Sequence, residues 1–399
     1  MKYFQTIAWC FLVMLASSCA AQKKAVTNNS SLQSTIQQNF KDGDAQYKVM
    51  MKELPAGRFP KTYEKDTLRT SGSDWWCSGF YPGSLLYLYE QTKDAALYNE
   101  ATRMLGLLSK EQYNKSTHDL GFMMYCSFGN ALRLNPANEA YKNILLNSAK
   151  SLSTRFNPTV GCIKSWDSKP SDFLVIIDNM MNLELLFWAT KATGDSSFYN
   201  IAVTHANTTI KNHFRPDYSS YHVVNYNPQT GEVQERKTAQ GYADSSAWAR
   251  GQSWGLYGYT VVYRETKDKK YLDEANHIAH FILTNPNLPA DKIPYWDYDA
   301  PNIPNALRDA SAAAVMASAL IELSGYVSKD TADNYMAVAK AILQKLSTDH
   351  YKAAIGTNGG FILKHSVGSL PAHSEVDVPL TYADYYFLEA MKRYKELRK

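Results

Sequence analysis

The sequence is poor in cysteine and nearly balanced in charge. Its 399 residues contain five cysteines, and 42 lysines and arginines stand against 38 aspartates and glutamates, for a net charge of +4. Over a surface of this size such a charge gives no sign of a nucleic-acid-binding face, and no nucleic-acid partner is expected. The apolar fraction of 45% and the charged fraction of 20% are those of a globular protein and exclude disordered, collagen-like and coiled-coil chains.

The cysteines are too few and too dispersed for a disulfide framework. Cys10 and Cys19 lie near the N-terminus, which leaves Cys77, Cys126 and Cys162 for the folded part. Three cysteines cannot form a framework of bridges, and none has the CxxC or histidine-linked spacing of a zinc site. We therefore expect buried free thiols and no bound metal.

The N-terminus has the pattern of a secretory signal. Its apolar run from Ile7 to Ala16 is too short to span a bilayer stably. The segment that ends at Cys19 resembles a bacterial lipobox, so we expect a signal peptide over residues 1–18 and a lipid anchor at Cys19, with simple cleavage after Ala21 as the alternative. Residues 19–30 are expected to form a polar tether and residues 31–399 a single domain. The protein is expected to be exported, as a periplasmic or membrane-anchored bacterial lipoprotein.

Aromatic residues are abundant, at 13% of the chain, and several tyrosines mark a repeat. Five times, a polar turn containing Asp or Asn leads to a tyrosine and an amphipathic helical stretch, and the Asp or Asn is a candidate helix cap. The repeat predicts a series of similar helical units. These tyrosines are Tyr98, Tyr141, Tyr199, Tyr271 and Tyr335.

A second, more apolar helix is predicted immediately before each turn and once more at the C-terminus. With a first amphipathic helix near residues 31–53, this gives six outer helices that alternate with six inner ones. Such alternation predicts an all-α (α/α)6 barrel, with an open α-solenoid as the alternative. Closure is favoured because the inner helices carry Trp, Asp and Arg rather than a continuous aliphatic seam. The inner helices are predicted at residues 78–91, 119–134, 178–192, 247–265, 309–325 and 381–396.

The predicted connections differ between the two ends of the barrel. Turns from inner to outer helices are short, whereas the loops from outer to inner helices are long. The long loops therefore all lie at the N-terminal ends of the inner helices, where free backbone N–H groups and the helix dipole favour an anionic ligand. The active site is expected at this end.

Chemically versatile side chains cluster at these same junctions. Six separate regions of sequence contribute them, which carries more weight than any one residue. Taken singly, Asp119, Asp178 and Asp309 could each be a helix N-cap, and a tryptophan on an inner helix is more often core than sugar platform. The junctions supply Trp75, Trp76, His118, Asp119, Asp178, Asn179, Gln240, Trp248, Arg250, Trp296, Arg308, Asp309, His365, Ser366, Glu375 and Asp377.

Two carboxylates across a barrel mouth favour a glycosidase, which needs a positioned acid and base. Asp178 is the best candidate for the acid. It follows the apolar run Phe173–Ile177, so its carboxyl is expected to be half-buried, which favours the protonated form. Its place at a helix N-terminus acts in the opposite direction.

Around these residues the sequence resembles glycoside hydrolase family 88, the unsaturated glucuronyl hydrolases. The similarity runs from about residue 40 to the C-terminus, with the motifs in the family's order. The resemblance implies an (α/α)6 barrel and a substrate with a 4-deoxy-4,5-unsaturated hexuronic acid at its non-reducing end, as polysaccharide lyases produce. The matching segments are Trp76–Phe80, His118–Phe122, Asp178–Asn182, Tyr221–Val224, Gln240–Tyr242, Trp248–Trp254, Arg308–Ser311 and Ser374–Asp377.

The resemblance also implies a reaction, in which the C4=C5 enol ether is hydrated and the resulting hemiketal rearranges and expels the aglycone. Asp178 would protonate C4 and help to activate the water that adds to C5, while Asp119 would hold the ring hydroxyls and influence Asp178. Arg250 and helix N-termini would supply positive potential for the substrate carboxylate. This chemistry needs a proton donor but no metal, nucleotide or other cofactor. Substrate contacts are implied for Trp76, His118, His222, Gln240, Trp248, Arg250 and Trp254.

Departures from the family pattern concern the choice of substrate. Cys77 stands where many relatives have Thr, and Ala239 where a His is common. Ser366 and Ser369 resemble a serine pair associated with sulfated sugars and are candidate contacts, but the basic residue expected after them is missing. Glycosaminoglycan-type disaccharides are the expected substrates. An unsaturated rhamnogalacturonyl hydrolase for pectin fragments and a non-catalytic sugar-binding lipoprotein are the alternatives.

Overall fold

The computed structural model describes residues 32–397. The predicted signal peptide over residues 1–18, the tether over residues 19–30 and the lipid site Cys19 lie outside the described residues. No helix in the range 32–397 is both long and apolar enough to cross a bilayer.

Twelve helices within this range alternate between an outer and an inner layer. Five of the six inner ones begin and end within two residues of the predicted positions, whereas the third inner helix begins five residues later than predicted, after a 3-10 turn. The outer helices are α1 (32–53), α3 (Ala95–Leu108), α5 (Glu139–Ser153), α7 (Ser196–His213), α9 (Lys269–Thr284) and α11 (Lys329–Leu346). The inner helices are α2 (Phe80–Thr92), α4 (a π-helix over Gly121–Gly129 continued by an α-helix over Asn130–Leu134), α6 (Leu183–Thr193, preceded by a 3-10 turn at Ile177–Asn182), α8 (Ala249–Thr266), α10 (Ala310–Leu323) and α12 (Thr381–Glu396).

Four outer helices begin at the predicted caps. The side chains of Asp94, Asn138, Asp195 and Asp268 each accept a hydrogen bond from a backbone N–H in the first turn of the helix that follows. Such a cap contributes about 1 kcal/mol to helix stability. The last outer helix differs, because α11 begins after Ser328 without a side-chain cap.

The six inner helices form a closed ring. Each packs against its inner neighbours, and the ring closes where α12 packs against both α2 and α10. At this closure the ring of Tyr385 on α12 lies 5.2 Å from that of Tyr87 on α2, and across the interior Tyr386 lies 5.4 Å from Trp254 of α8 (centroid distances). The all-α (α/α)6 barrel is thus confirmed, and the open solenoid is excluded.

A close contact joins the beginning of α4 to the 3-10 turn before α6. A Cβ atom added to Gly121 would lie 2.4 Å from the Cα of Asn182, so only glycine fits there. The Asn182 side chain in turn accepts a hydrogen bond from the Phe122 N–H at 3.0 Å. This contact fixes the position of the turn that carries Asp178.

The long loops contain short antiparallel sheets that were not predicted from the sequence. They lie at the N-terminal ends of the inner helices and shape the mouth of the barrel. The sheets pair β1 (Phe59–Glu64) with β2 (Thr67–Ser71), β3 (Phe156–Asn157) with β4 (Cys162–Ile163), β5 (Phe173–Ile176) with β6 (Val223–Tyr226) and β6 with β7 (Val233–Lys237), and β8 (Ser366–Ser369) with β9 (Ser374–Val378).

Candidate active site

A cavity of about 360 Å³ opens at the predicted end of the barrel, where the inner helices begin. Several loops and the first turns of inner helices contribute to its wall, so residues far apart in sequence meet there. It is lined by Trp75, Trp76, His118, Asp119, Phe122, Trp166, Ile176, Asp178, Ala239, Gln240, Arg250, Gly368, Ser369, Ala372, Ser374, Glu375 and Tyr382.

Asp178 is the most perturbed carboxyl of this cavity. Asp178 is 8% exposed, and its Oδ2 atom has no hydrogen-bond partner among the described residues. Burial raises the pKa of Asp178 to about 7, the charge of Asp119 adds to the rise, and the charge of Arg250 opposes it. The carboxyl therefore exchanges its proton near neutral pH, as a group that serves as both acid and base requires.

His222 lies directly behind Asp178. Its Nδ1 accepts hydrogen bonds from the backbone N–H groups of Ala239 and Gln240, at 3.0 and 3.1 Å. Burial, with a further contribution from Arg250, lowers the pKa of His222 to about 3, so the ring is neutral. Because Nδ1 accepts, the ring proton is on Nε2, which faces Asp178 Oδ2 at 3.8 Å.

Asp119 lies beside a second buried histidine, His118, and accepts a hydrogen bond from Thr117. The Nδ1 of His118 lies 3.0 Å from the Ser165 carbonyl, which can only accept, so Nδ1 carries a proton. Nε2 then lies 3.3 Å from Asp119 Oδ1 without a hydrogen bond, and burial lowers the pKa of His118 although the charge of Asp119 opposes this. The Thr117 hydroxyl donates to the other oxygen of Asp119 at 3.1 Å. This hydrogen bond helps to hold the Asp119 carboxyl on the cavity wall.

Arg250 is fully buried and joins three elements of the site. It pairs with Asp309 at 3.0 Å and donates to the backbone carbonyls of Val367 and Gly368 at 2.5 and 2.6 Å. Gln240 also donates to the Gly368 carbonyl, at 3.2 Å. Both side chains therefore fix β8 to the barrel, and Arg250 contributes its positive charge to the cavity while most of its hydrogen bonds stay within the protein.

A layer of aromatic rings closes the inner end of the cavity. Trp254 is fully buried, and its ring lies 5.1 Å from Phe122 and 5.4 Å from Tyr386. Phe122 lines this cavity, whereas Tyr386 lines a different one at the opposite end of the barrel. Trp76, which packs 4.9 Å from Tyr382, continues the aromatic wall toward the mouth. The cavity is thus a blind pocket.

The cavity at the opposite end is larger, at about 700 Å³. Its charged side chains are paired with one another or with neighbours: Arg133 with Glu90 at 2.7 Å, and Arg393 with Glu322 at 2.6 Å. It has no counterpart to the unpaired carboxyl oxygen of Asp178. The smaller cavity is therefore the candidate active site.

The structure brings most of the predicted residues to this cavity and places others behind its wall. His222 and Trp248 form a layer behind it, with their rings 4.5 Å apart, Trp254 belongs to the aromatic layer, and Ser366 is fully buried in β8. The predicted residues that line the cavity are Trp75, Trp76, His118, Asp119, Asp178, Gln240, Arg250, Ser369 and Glu375.

Besides Phe122, two aromatic side chains of the cavity were not among the predicted site residues. Trp166 lies in the loop after β4, is 37% exposed, and meets the His222 ring edge-on at 6.0 Å. Tyr382 is in the first turn of α12 and is buried. A feature of the sequence indicated each of them, since Trp166 is an isolated tryptophan in a long mouth loop and Tyr382 lies at the beginning of an inner helix.

The described part of the chain contains no cluster of three or more His, Cys, Asp or Glu side chains that could hold a metal ion. Cys77 and Cys162 are buried, Cys126 is half-buried, and all three are free thiols. Burial raises the thiol pKa of each of the three. They are therefore inert at neutral pH.

Comparison with known proteins agrees with this geometry. The sequence model described as Glycosyl Hydrolase Family 88 matches residues 48–395. An "Unsaturated glucuronyl hydrolase" of Formosa agariphila is 44% identical over 389 residues, which cover 96% of this chain and 95% of that protein. An "Unsaturated chondroitin disaccharide hydrolase" of Streptococcus pneumoniae is 34% identical over 326 residues, or 80% of this chain and 81% of that protein.

A solved structure shows the same fold. The crystal structure of an unsaturated glucuronyl hydrolase described as specific for heparin superposes with a TM-score of 0.89 at 49% identity, covering 92% of this chain and 98% of that one. The resemblance found in the motifs of the sequence is thus confirmed along nearly the whole described chain. This protein belongs to glycoside hydrolase family 88.

Proposed function

We propose that this protein removes the 4,5-unsaturated uronic acid from the non-reducing end of oligosaccharides released by polysaccharide lyases, with glycosaminoglycan-type disaccharides as its substrates. The observation that carries the proposal is the buried Asp178 carboxyl, whose pKa of about 7 lets one group act first as acid and then as base. The blind pocket supports the removal of a terminal sugar, because a chain that enters from the mouth must end beside Asp178.

In the proposed first step, protonated Asp178 donates its proton to C4 of the enol ether. The positive charge that develops at C5 and the ring oxygen is stabilised by the carboxylate so formed, in a cavity where burial reduces screening by water. Water then adds to C5 and returns a proton to Asp178. The C5 hemiketal opens to a ketone, which leaves a hemiacetal at C1, and this releases the aglycone as an alcohol. One water is consumed overall.

The neighbouring side chains have supporting roles in this proposal. The Nε2–H of His222, 3.8 Å from Asp178, stabilises the carboxylate between the two proton transfers. Asp119 binds hydroxyl groups of the uronate ring, and its charge raises the pKa of Asp178. The charge of Arg250 and the N-termini of the inner helices balance the substrate carboxylate. Trp76 and Trp166 form apolar walls for the sugar rings.

The relatives support glycosaminoglycan-type substrates over pectin fragments. The two relatives described above are named as glucuronyl and chondroitin disaccharide hydrolases, and the structural neighbour is described as specific for heparin. We also propose that the chain is exported through residues 1–18 and anchored by lipid at Cys19, as its lipobox-like segment favours. Metabolic labelling with radioactive palmitate tests this, since label that persists in Cys19→Ala would contradict it.

The ultraviolet absorbance of the conjugated double bond provides the test of function. Wild-type protein is expected to abolish this absorbance in lyase-generated chondroitin, heparin or hyaluronan disaccharides, and Asp178→Asn to leave it unchanged. Asp167→Asn is the matched control, because Asp167 lies on a mouth loop but outside the cavity and has a 64% exposed side chain. Near-normal turnover by Asp178→Asn would refute the assigned acid. Persistent absorbance with measurable binding by the wild type would favour the sugar-binding alternative.

A further inference from the structure

Four charged side chains line the candidate active site, and three of them are carboxylates. Asp119, Asp178 and Glu375 share the wall with Arg250. Asp178 and Arg250 lie at the buried end and serve the terminal uronate in the proposed function. Glu375 belongs to neither the proton transfer nor the support of Asp178, so its place in the cavity needs a separate explanation.

Glu375 lies on β9, at the mouth. Its cavity-lining neighbours Ala372 and Ser374 are exposed, and Trp75 is 42% exposed, whereas Asp178 is 8% exposed. A disaccharide whose terminal uronate reaches Asp178 therefore has its second sugar, the aglycone, at the level of Glu375. The side chain of Glu375 is 17% exposed, so its charge faces the cavity with limited screening.

The glutamate carboxylate is held in this position from two sides. Its Oε2 lies so close to Gly368 that a Cβ on that residue would be 2.6 Å away, and glycine therefore leaves the room that the carboxylate occupies. On the other side, Lys61 of β1 approaches Oε1 at 3.6 Å while its ammonium group lies 4.4 Å from the ring centre of Trp75. Lys61 thus compensates the carboxylate in part and is not itself part of the cavity wall.

We propose that Glu375 is a specificity-determining residue that disfavours an anionic substituent on the aglycone, so that the preferred substrates carry an unsulfated second sugar. This inference rests on the proposed function. The charges around Glu375 are Lys61 and Arg250, which favour the carboxylate, and Glu64, which opposes it. Arg250 already pairs with Asp309 and with two carbonyls. The loop between β8 and β9, residues 370–373, contains no lysine or arginine, and its His373 does not line the cavity. A sulfate would meet Glu375 where Lys61 already pairs with that carboxylate.

Two charge-changing variants test the proposal in opposite directions. The measured quantity is the ratio of kcat/KM for the 6-sulfated to that for the unsulfated unsaturated chondroitin disaccharide. Glu375→Gln removes the repulsion and is expected to raise this ratio on the order of tenfold, as two like charges a few Å apart in a partly screened site require. Lys61→Gln leaves the carboxylate uncompensated and is expected to lower the ratio.

The matched control is Asp377→Asn. Asp377 lies on β9 like Glu375, but it pairs with His365 at 2.7 Å and is not part of the cavity wall. The kcat/KM ratio of Asp377→Asn should therefore equal that of the wild type. An unchanged ratio in Glu375→Gln, or an equal rise in Asp377→Asn, would overturn the proposal.

Binding separates this proposal from the proposed function. Affinities of the two disaccharides are measured for Asp178→Asn with and without Glu375→Gln, so that discrimination is read without turnover. A shift in the binding ratio supports the role of Glu375 even if the wild type hydrolyses neither compound, a result that would refute the function alone. Turnover of the unsulfated disaccharide with no shift in either ratio would refute the role of Glu375 alone.

Discussion

Replacement of Asp178 by asparagine is expected to stabilise the protein while it abolishes activity. Burial raises the pKa of this carboxyl from 3.8 to about 7 in the folded state, so the folded protein holds the proton more tightly than the unfolded chain does. Above pH 7 the group is ionised in both states, and the full free-energy cost of the buried charge then lowers the stability of the fold. As the pH falls from 7 to 3.8 the folded state takes up the proton first, the destabilisation declines, and below 3.8 it is absent.

The size of this effect follows from the two pKa values. Their difference corresponds to about 4 kcal/mol above pH 7, and to about 2 kcal/mol near pH 5.5. Asparagine has nearly the same shape and no charge, so Asp178→Asn should exceed the wild type in free energy of unfolding by these amounts. Urea unfolding at about pH 5.5, 7 and 8.5 measures both proteins, with Asp167→Asn as a control that lacks the trend. A difference that does not grow with pH, or a less stable variant at pH 8.5, would refute the raised pKa of the buried Asp178 carboxyl.

The remaining predictions concern the supports of this carboxyl. His222→Gln removes the N–H that faces Asp178, so kcat should fall at least about tenfold with a smaller change in KM; a change confined to KM would show that His222 acts in binding instead. Gly121→Ala should lower the free energy of unfolding by about 1–3 kcal/mol, because its Cβ would collide with Asn182. Gly106→Ala on α3, where a Cβ meets no atom within 4 Å, should not destabilise under the same urea assay, and equal losses in the two variants would contradict the close contact.

The barrel was predictable because its signals are local. An inner helix is apolar on nearly every side, as α10 is with thirteen of its fourteen residues buried, and such a stretch stands out in the sequence without knowledge of its neighbours. The outer helices are marked by Asp or Asn caps such as Asp195, whose bond to Ser197 N–H is made within one turn. Neither signal depends on how the ring closes, and closure was favoured over an open solenoid by the Trp, Asp and Arg residues on the inner helices.

The short strands and the hydrogen-bond partners of Arg250 could not be predicted from local signals. β5 has four residues, and its partner β6 lies about fifty residues further along the chain, so no local turn signal indicates the pairing. Arg250 was expected to supply positive charge for the substrate carboxylate, and its guanidinium in addition bonds Asp309, Val367 and Gly368 from two other regions of sequence. The sequence gives the type of a side chain, whereas its hydrogen-bond partners depend on the tertiary structure.

The position of functional side chains relative to helix ends is the part of the site that a sequence can predict. Asp119 immediately precedes α4, Asp178 is in the turn before α6, Arg250 is the second residue of α8 and Tyr382 the second of α12. In a closed ring the first turns of all inner helices meet at one end, so polar or aromatic side chains there are candidates for lining a common space. Tyr382 satisfies this rule and could have been predicted by it. Trp166 does not, because it reaches the cavity from a loop whose path is set by Ser165, the hydrogen-bond partner of His118 and Asn179.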